Sequence, residues 1–321
     1  MSQDPAISLV IPVYNEEDNL QPLYDKILEA LEPLDINWEL LLVDDGSRDR
    51  SVLRMRELAA HDSRVIAIEL RRNFGQTAAM AAGFDHARGE FVVTLDADLQ
   101  NDPADIPRLL KQAAEGYDIV SGWRKDRQDA FVSRTLPSKI ANRLISWATG
   151  VHLHDYGCTL KVYRRSALEG LNLYGEMHRF LPALVVHQGA TITETVVAHH
   201  PRLHGTSKYG IGRTFKVLLD LLTVRFLGLY STKPIYVFGG VGMLLLAAGL
   251  TTAGVMIYMK VVQGISMILT PLPSLSALLL ILGVQSLMLG LLAELVIRTY
   301  HESQAKKIYV VRRISSESAQ T

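Results

Sequence analysis

Between Ile235 and Met259 the chain runs for 25 residues, IYVFGGVGMLLLAAGLTTAGVMIYM, without a charged side chain. As a helix rising about 1.5 Å per residue it would be roughly 37 Å long, enough to cross a hydrocarbon core of roughly 30 Å with some tilt. A second run, from Leu275, stays uncharged until Glu294. Two spans bring a chain back to the side on which it began. The connection KVVQGISMILTPLPS carries only Lys260, whereas Arg213, Lys216, Arg225 and Lys233 precede the first span and Arg298, Lys306, Lys307, Arg312 and Arg313 follow the second. The positive-inside rule then predicts a multi-pass membrane protein with two spans, about 235–259 and 275–297 within a region 234–297, and with both termini and the preceding soluble part in the cytoplasm. Two buried core helices would be shorter and would not need this asymmetry.

Residues 1–211 are enough for one full hydrophobic core. They alternate short β-rich runs, ISLVIPVY (7–14), WELLLVDD (38–45), RVIAIEL (64–70), EFVVTLDAD (90–98) and YDIVSGW (117–123), with amphipathic stretches at 18–32, 49–61, 76–88 and 103–115. Strands that are apolar throughout, separated by helices, predict a doubly wound α/β domain over 1–211 with both faces of its sheet covered. Residues 212–233 follow, with Arg213, Lys216 and Asp220 at helical spacing among Leu218, Leu222, Val224 and Phe226. That pattern predicts a juxtamembrane amphipathic helix lying in the interface. The basic segment 298–321 reads as a cytoplasmic tail, either solvated or held to anionic lipid.

Lys plus Arg and Asp plus Glu both number 33, so charge gives no reason to expect nucleic acid. A single cysteine, Cys158, excludes an intrachain disulfide framework and cysteine-cluster metal sites, and fits a reducing setting. The N-terminus MSQDPAISLVIPVYNEE, with an acid at position 4 and a short apolar run, does not have the pattern of a secretory signal.

Three of the strands end in polar clusters: IPVYNEE (11–17), VDDGS (43–47) and LDADLQ (95–100). Any one could be a turn, since Asp, Asn, Gly and Ser favour turns and caps. Three at the carboxyl edge of one open sheet mark the place where α/β domains bind ligands. Asp96 and Asp98, one residue apart at a strand end, can hold a hard divalent cation through oxygen, with water and substrate phosphates completing the shell. Neither a GxxxxGK[ST] nor a GxGxxG pattern is present to claim those phosphates. The chemistry left is metal-assisted departure of a nucleoside diphosphate.

The segments SLVIPVYNEEDNL, LLVDDGSRDRS, RRNFGQTAAMAAGFDHARGE, VTLDADLQNDP, GYDIVSGWR, DYGCTLKVYRR and PRLHGTSKYG together resemble the inverting glycosyltransferases of family 2, and within them the polyisoprenyl-phosphate glycosyltransferases. The resemblance covers nearly the whole soluble part and implies a GT-A fold, which is Rossmann-like. It also implies a nucleotide-sugar donor with a leaning to UDP, a polyprenyl phosphate acceptor, and Mg²⁺ or Mn²⁺ as cofactor. By position, Pro12, Tyr14, Glu16, Val43 and Asp45 match residues that hold base and ribose. Asp96, Asp98 and Gln100 match the nucleotide and metal site, and Asp155 the acidic residue near the acceptor. Arg124 matches a phosphate-side arginine, Arg202, Ser207 and Lys208 fall in the basic motif that meets donor or lipid phosphates, and Arg179 is a further candidate for that job. Lys208, four residues before Gly212, is expected nearer the membrane than Asp45 or Asp98. Two departures bear on the donor sugar: Gln76 stands where some relatives carry lysine, and DYGC is closer to the aminoarabinose-transferase branch. The oligomeric state is left open, a homo-oligomer included.

A lipid phosphate monoester has a second pKa of about 6 and is mostly dianionic at pH 7, so it needs little help to act as nucleophile. Asp155 is therefore expected to orient the acceptor or take a residual proton. His199 and His200 have no third ligand at metal spacing and read as structural, as does Cys158. Two other function classes would leave different marks in the sequence. A processive polysaccharide synthase would show a QxxRW motif, which none of Trp38, Trp123 and Trp147 completes. A silent nucleotide-binding scaffold would not need the carboxylates beside Asp155 and Lys208.

Overall fold

The structure is a computed structural model, which describes residues 4–125, 142–143, 145–146, 149–171, 173, 177–201, 235–266, 270–303 and 309–316. The expected interfacial helix at 212–233 and the candidate residues Arg202, Ser207 and Lys208 lie outside the described residues. The chain divides into two compact units, Met1–Val224 with Lys307–Thr321, and Arg225–Lys306.

Among the described residues the first unit is built on one sheet of eight strands: β1 (Ile7–Val13), β2 (Trp38–Asp44), β3 (Val65–Leu70), β4 (Phe91–Thr94), β5 (Ile119–Trp123), β6 (Lys161–Arg164), β7 (Ile192–Val196) and β8 (Val311–Ser315), in the order β7-β5-β6-β4-β1-β2-β3-β8. Helices α1 (Leu20–Leu31), α2 (Ser51–His61), α3 (Gln76–His86) and α4 (Ile106–Ala114) fall on the expected amphipathic stretches, and the short α5 (Arg165–Leu168) and α6 (Leu181–His187) follow later. The pairs β1–β2, β2–β3, β1–β4 and β5–β7 are parallel, while β6 runs antiparallel between β4 and β5. Strands β1 to β5 and β7 therefore share one direction, and their carboxyl ends meet at one edge. That edge also receives the amino end of β6.

The strands are buried because the sheet is covered on both faces. Ile7, Leu9, Ile11 and Val13 of β1 join Leu23 and Ile27 of α1, Met55 of α2 and Leu109 of α4 in one core. Each such side chain contributes about 1.5 to 3 kcal/mol relative to its exposed state. Val10 points to the opposite face, where α3 lies so close that a Cβ on Gly83 would come within 2.2 Å of its Cγ1. Only glycine lets α3 sit this low on the sheet.

The tail expectation is corrected by β8. Instead of a solvated end, residues 311–315 form an antiparallel edge strand on β3, with Ala67 opposite Ser315 and Glu69 opposite Arg313. Tyr309, just before it, is buried and donates to Asp85 Oδ2 at 2.6 Å. The doubly wound pattern also lacked β6, which makes the sheet mixed.

The second unit is a helical hairpin, α7 (Ile235–Val262) and α8 (Leu272–Ser303). Within it Phe238–Val262 and Leu272–Ala293 are long and apolar enough to cross a membrane. Large apolar side chains such as Leu244, Val261 and Leu291 are exposed, which fits a surface meant for lipid. Where the two helices touch, side chains are small or bonded: an added Cβ on Gly242 would sit 2.9 Å from the Gly283 carbonyl oxygen, Ser286 Oγ donates to the Phe238 carbonyl at 2.8 Å, and Ser276 Oγ donates to that of Gly249 at 3.0 Å. This is how helices associate when no hydrophobic drive separates them from their solvent.

Candidate active site

The loops at the carboxyl edge carry the chemistry-bearing residues. The loop after β1 and the loop after β2 are laced together through backbone amides. Asn15 N–H donates to Ser47 Oγ at 2.9 Å, Arg48 N–H to Asn15 Oδ1 at 2.8 Å, and Glu16 N–H to Ser51 Oγ at 2.8 Å. Asn15 holds a left-handed φ of 54° to make this junction, a strained state that persists because its surroundings over-determine it. In VDDGS, Asp44 accepts from the amides of Gly46 (3.0 Å) and Ser47 (3.1 Å). Gly46 has φ 73°, and a Cβ there would lie 2.6 Å from the Arg72 carbonyl carbon and Asn73 nitrogen, so the turn requires glycine. Asp45 reaches across to the start of α3 and accepts from the amides of Phe74 (2.7 Å) and Gly75 (3.0 Å). Burial pushes both carboxyls up, and these amide bonds offset part of the rise. Pro12, Tyr14 and Glu16 are half-buried along this wall, with Glu16 Oε2 accepting from Asn19 Nδ2 at 2.6 Å. Val43, opposite Pro12 in register, is fully enclosed and forms floor rather than contact surface.

Next to this wall β4 stops at Thr94, and the chain leaves the sheet through Asp96, Asp98 and Leu99, whose φ is 59°. Asp98 is buried and accepts from Gln100 N–H at 3.2 Å. Asp96 accepts from Gln76 Nε2 at 2.8 Å, from the first turn of α3. Burial, and then the charge of Asp98, push the Asp96 carboxyl up to about 6, against the opposing pull of Thr159, Arg124 and Lys161. A carboxyl whose ionisation is disfavoured by burial and by a neighbouring carboxylate suits a cation. Among the described residues no three His, Cys, Asp or Glu side chains converge, so a cation here would draw its remaining oxygens from substrate and water.

Beyond Asp96 lies an ionic cluster. Arg124 follows β5 and forks onto Asp155, Nε to Oδ2 at 2.7 Å and Nη2 to Oδ1 at 3.0 Å. Burial works against the guanidinium charge, but Asp155 outweighs it and holds that charge more firmly than usual. Two residues expected to act separately therefore form one pair, and Asp155 is an orienting group for Arg124. Lys161, buried at the start of β6, donates to the carbonyls of Tyr156 (3.3 Å) and Cys158, and burial lowers its pKa. Sequence reasoning missed Lys161 and the Gln76–Asp96 bond. The available signal was a lysine within the otherwise apolar run TLKVY. Arg179 ends the turn Met177–Arg179, next to His178, whose Nδ1 meets Thr77 Oγ1 of α3 at 2.7 Å. His199 pairs its backbone with Asn101, His200 bonds Asp102 Oδ2 at 2.9 Å, and Cys158 is sealed in the core, as structural readings require.

A family model described as glycosyl transferase family 2 matches residues 8–171. Dodecaprenyl-phosphate galacturonate synthase from Rhizobium johnstonii is 44% identical, over 99% of this chain and 95% of that protein. Undecaprenyl-phosphate 4-deoxy-4-formamido-L-arabinose transferase from Aeromonas hydrophila is 39% identical, over 96% and 93%. Among solved structures, glucosyl-3-phosphoglycerate synthase from Mycobacterium tuberculosis, in complex with Mn²⁺, uridine-diphosphate and phosphoglyceric acid, superposes with a TM-score of 0.51 at 18% identity, covering 70% of this chain and 78% of that one. The last likeness is one of fold.

Proposed function

Because the chain belongs to glycosyl transferase family 2, we propose that it transfers a sugar from a UDP-sugar to a polyprenyl phosphate, with inversion, at a membrane surface. The observation that carries this reading is the near full-length likeness to two polyprenyl-phosphate sugar transferases that differ in their sugar. Pro12, Tyr14, Glu16 and Asp45 line the wall that would take base and ribose, with Val43 beneath. Asp96 and Asp98, with Gln100 adjoining, would hold Mg²⁺ or Mn²⁺, which when bound neutralises the departing diphosphate as a Lewis acid. Arg124 supplies a fixed cation beside Asp96, and Arg179 a second near the start of α3. Arg202, Ser207 and Lys208 are assigned to the lipid phosphate by motif. That phosphate is already mostly dianionic, so Asp155 has an orienting part and no strong base is required.

The same reading places both termini and the sheet in the cytoplasm. Two crossings suit a chain whose first strands and β8 share one sheet, and the basic residues flank the hairpin on that side. The test is to incubate the purified chain with undecaprenyl phosphate and a panel of UDP-galacturonate, UDP-4-deoxy-4-formamido-L-arabinose and UDP-glucose, and to weigh the lipid product. A β-linked lipid monophosphate sugar from an α-linked donor is expected. A retained α-linkage by NMR coupling, or no lipid product from any donor, overturns it.

A further inference from the structure

Arg124, Asp155 and Lys161 come from three separate places in the chain: the end of β5, the turn before β6, and the first residue of β6. All three are withdrawn from solvent. The Arg124 and Asp155 side chains are 10% and 3% exposed, and Lys161 is 4% exposed. Lysine rarely goes under; its usual habit is to run its stem along the surface and leave the ammonium in water. This one is turned inward by its register, opposite Thr94 of β4 and Ser121 of β5, at the seam between the strand leading to Asp96 and the strand leading to Arg124.

Its Nζ ties down the carbonyls of Tyr156 and Cys158, the backbone that immediately follows Asp155. Those carbonyls would otherwise be buried acceptors in a turn. An amine has at least two N–H groups in either protonation state, so both bonds survive loss of its proton. Asp155, carried on the pinned turn, takes the guanidinium with both oxygens, and Gly157 N–H adds a bond to Oδ1 at 3.1 Å. The glycine also makes room: a Cβ there would lie 3.2 Å from Arg124 Nη2.

We propose that Lys161 is a positioning residue for sugar transfer: it pins the turn that carries Asp155, Asp155 fixes the Arg124 guanidinium, and Arg124 is thereby held still for a phosphate oxyanion beside Asp96. This rests on the reading of the site as a transferase centre. The oxyanion is either the donor diphosphate or the lipid monophosphate, and the two give different signatures.

The experiment uses the full chain in detergent micelles, with Lys161→Met, Lys161→Gln and Lys161→Arg, each alone and combined with Arg124→Ala. Calorimetric titration of UDP with Mn²⁺ reads the donor side, and kcat and KM for undecaprenyl phosphate read the acceptor side. Lys161→Met is expected to weaken one of the two by about tenfold, and in the Arg124→Ala background by less than about twofold, as groups in one network do. Lys161→Arg, which keeps the donors, recovers most of the loss, and Lys161→Gln takes the place of the Met variant if that one does not fold. Loss confined to UDP affinity identifies the donor diphosphate; loss confined to the acceptor parameters identifies the lipid phosphate. An equal loss with and without Arg124, or no loss on either side, overturns the proposal. A third readout needs no substrate. The Arg124 Nε–H, bonded to Asp155, should give an NMR cross-peak that is absent in Arg124→Lys, and Lys161→Met should lose its protection against exchange while the backbone amides of β1 and β2 keep theirs. If wild type gives no lipid product, the transfer reading has failed, and this signal still decides: unchanged protection in Lys161→Met overturns the positioning role.

Discussion

The two sides of the site are held in place by different means. On the β1–β2–β3 side carboxylates bind the backbone. Asp44 closes its own turn, Asp45 caps the approach to α3, and Asp49 accepts from Glu17 and Ser51 amides at 3.3 and 2.9 Å. On the β5–β6 side charges bind each other, with Arg124 forked onto Asp155 and Lys161 beneath. Backbone bonds fix a loop whatever its net charge. A buried ion pair fixes a single group and leaves a costly orphan if one partner is lost. The β1–β2–β3 side is therefore built to tolerate loss of a carboxylate's charge, and the β5–β6 side to be all-or-none. Asp96 stands between them, bonded to Gln76 of one side and felt by Arg124 of the other.

The largest effect is expected where the two sides meet. Asp98→Asn, which keeps shape and removes charge, should lower turnover by about a thousandfold, since a metal ion at a leaving diphosphate supplies several kcal/mol. Excess EDTA should do the same to wild type. Turnover that survives either treatment would separate the carboxylates from the reaction.

Next comes the contrast itself. Asp155→Asn strands the buried Arg124 charge and should destabilise the protein by about 3 kcal/mol, whereas Asp45→Asn, whose amide still accepts one bond, should cost about 1 kcal/mol. Replacing both Arg124 and Asp155 by Met and Leu should restore most of the stability without restoring activity. Melting temperatures and UDP titration of the four proteins check this. Equal losses from Asp155→Asn and Asp45→Asn would erase the distinction.

The smallest effect is one of pH, and its two parts have opposite signs. The folded protein binds the Asp96 proton more tightly than the unfolded chain does, so ionisation of Asp96 destabilises the ligand-free fold above about pH 6 and stops doing so as the pH falls toward 4. Asp96→Asn should then be more stable than wild type at pH 7 by about 2 kcal/mol, with the difference fading below pH 6. On the proposed role of the Asp96 carboxylate, UDP binding with Mn²⁺ should weaken in wild type over the same interval. A stability difference that grows on acidification would mean that Asp96 is not the group with the raised pKa.

Much of this was legible in advance. The ends of β1 and β2 fall within a residue of the runs ISLVIPVY and WELLLVDD, because apolar strands flanked by helices leave few other arrangements. The three strand-end clusters do share one edge. What escaped was non-local. The four residues of β6 are too few to show a period, and their place between β4 and β5 is set by partners 67 to 73 residues earlier in β4 and 40 to 44 residues earlier in β5. The strand β8 escaped because Arg312 and Arg313 make it look like a tail, although charged residues are what an edge strand carries to discourage further pairing. Arg124 and Asp155 were both found, 31 residues apart, yet nothing in either motif says that they bond to each other. Val43 matched a ligand-binding position and proved to be sealed, since a strand's alternation tells which face a residue takes and not how deep it lies.

The pairing of β8 with β3 makes the helical hairpin an insertion within the sheet-bearing unit, not an appendage to it. During synthesis the first seven strands are available before α7 and α8 exist, but the β3 edge stays open until both helices have been made and the chain has come back. Among the described strands, the last to be synthesised is the one that covers the β3 edge. Completion of the catalytic unit is thus tied to completion of the hairpin, and a chain that stalls or is cut beyond α8 would be left with an open edge at β3, where chaperones and proteases can tell it from a finished molecule.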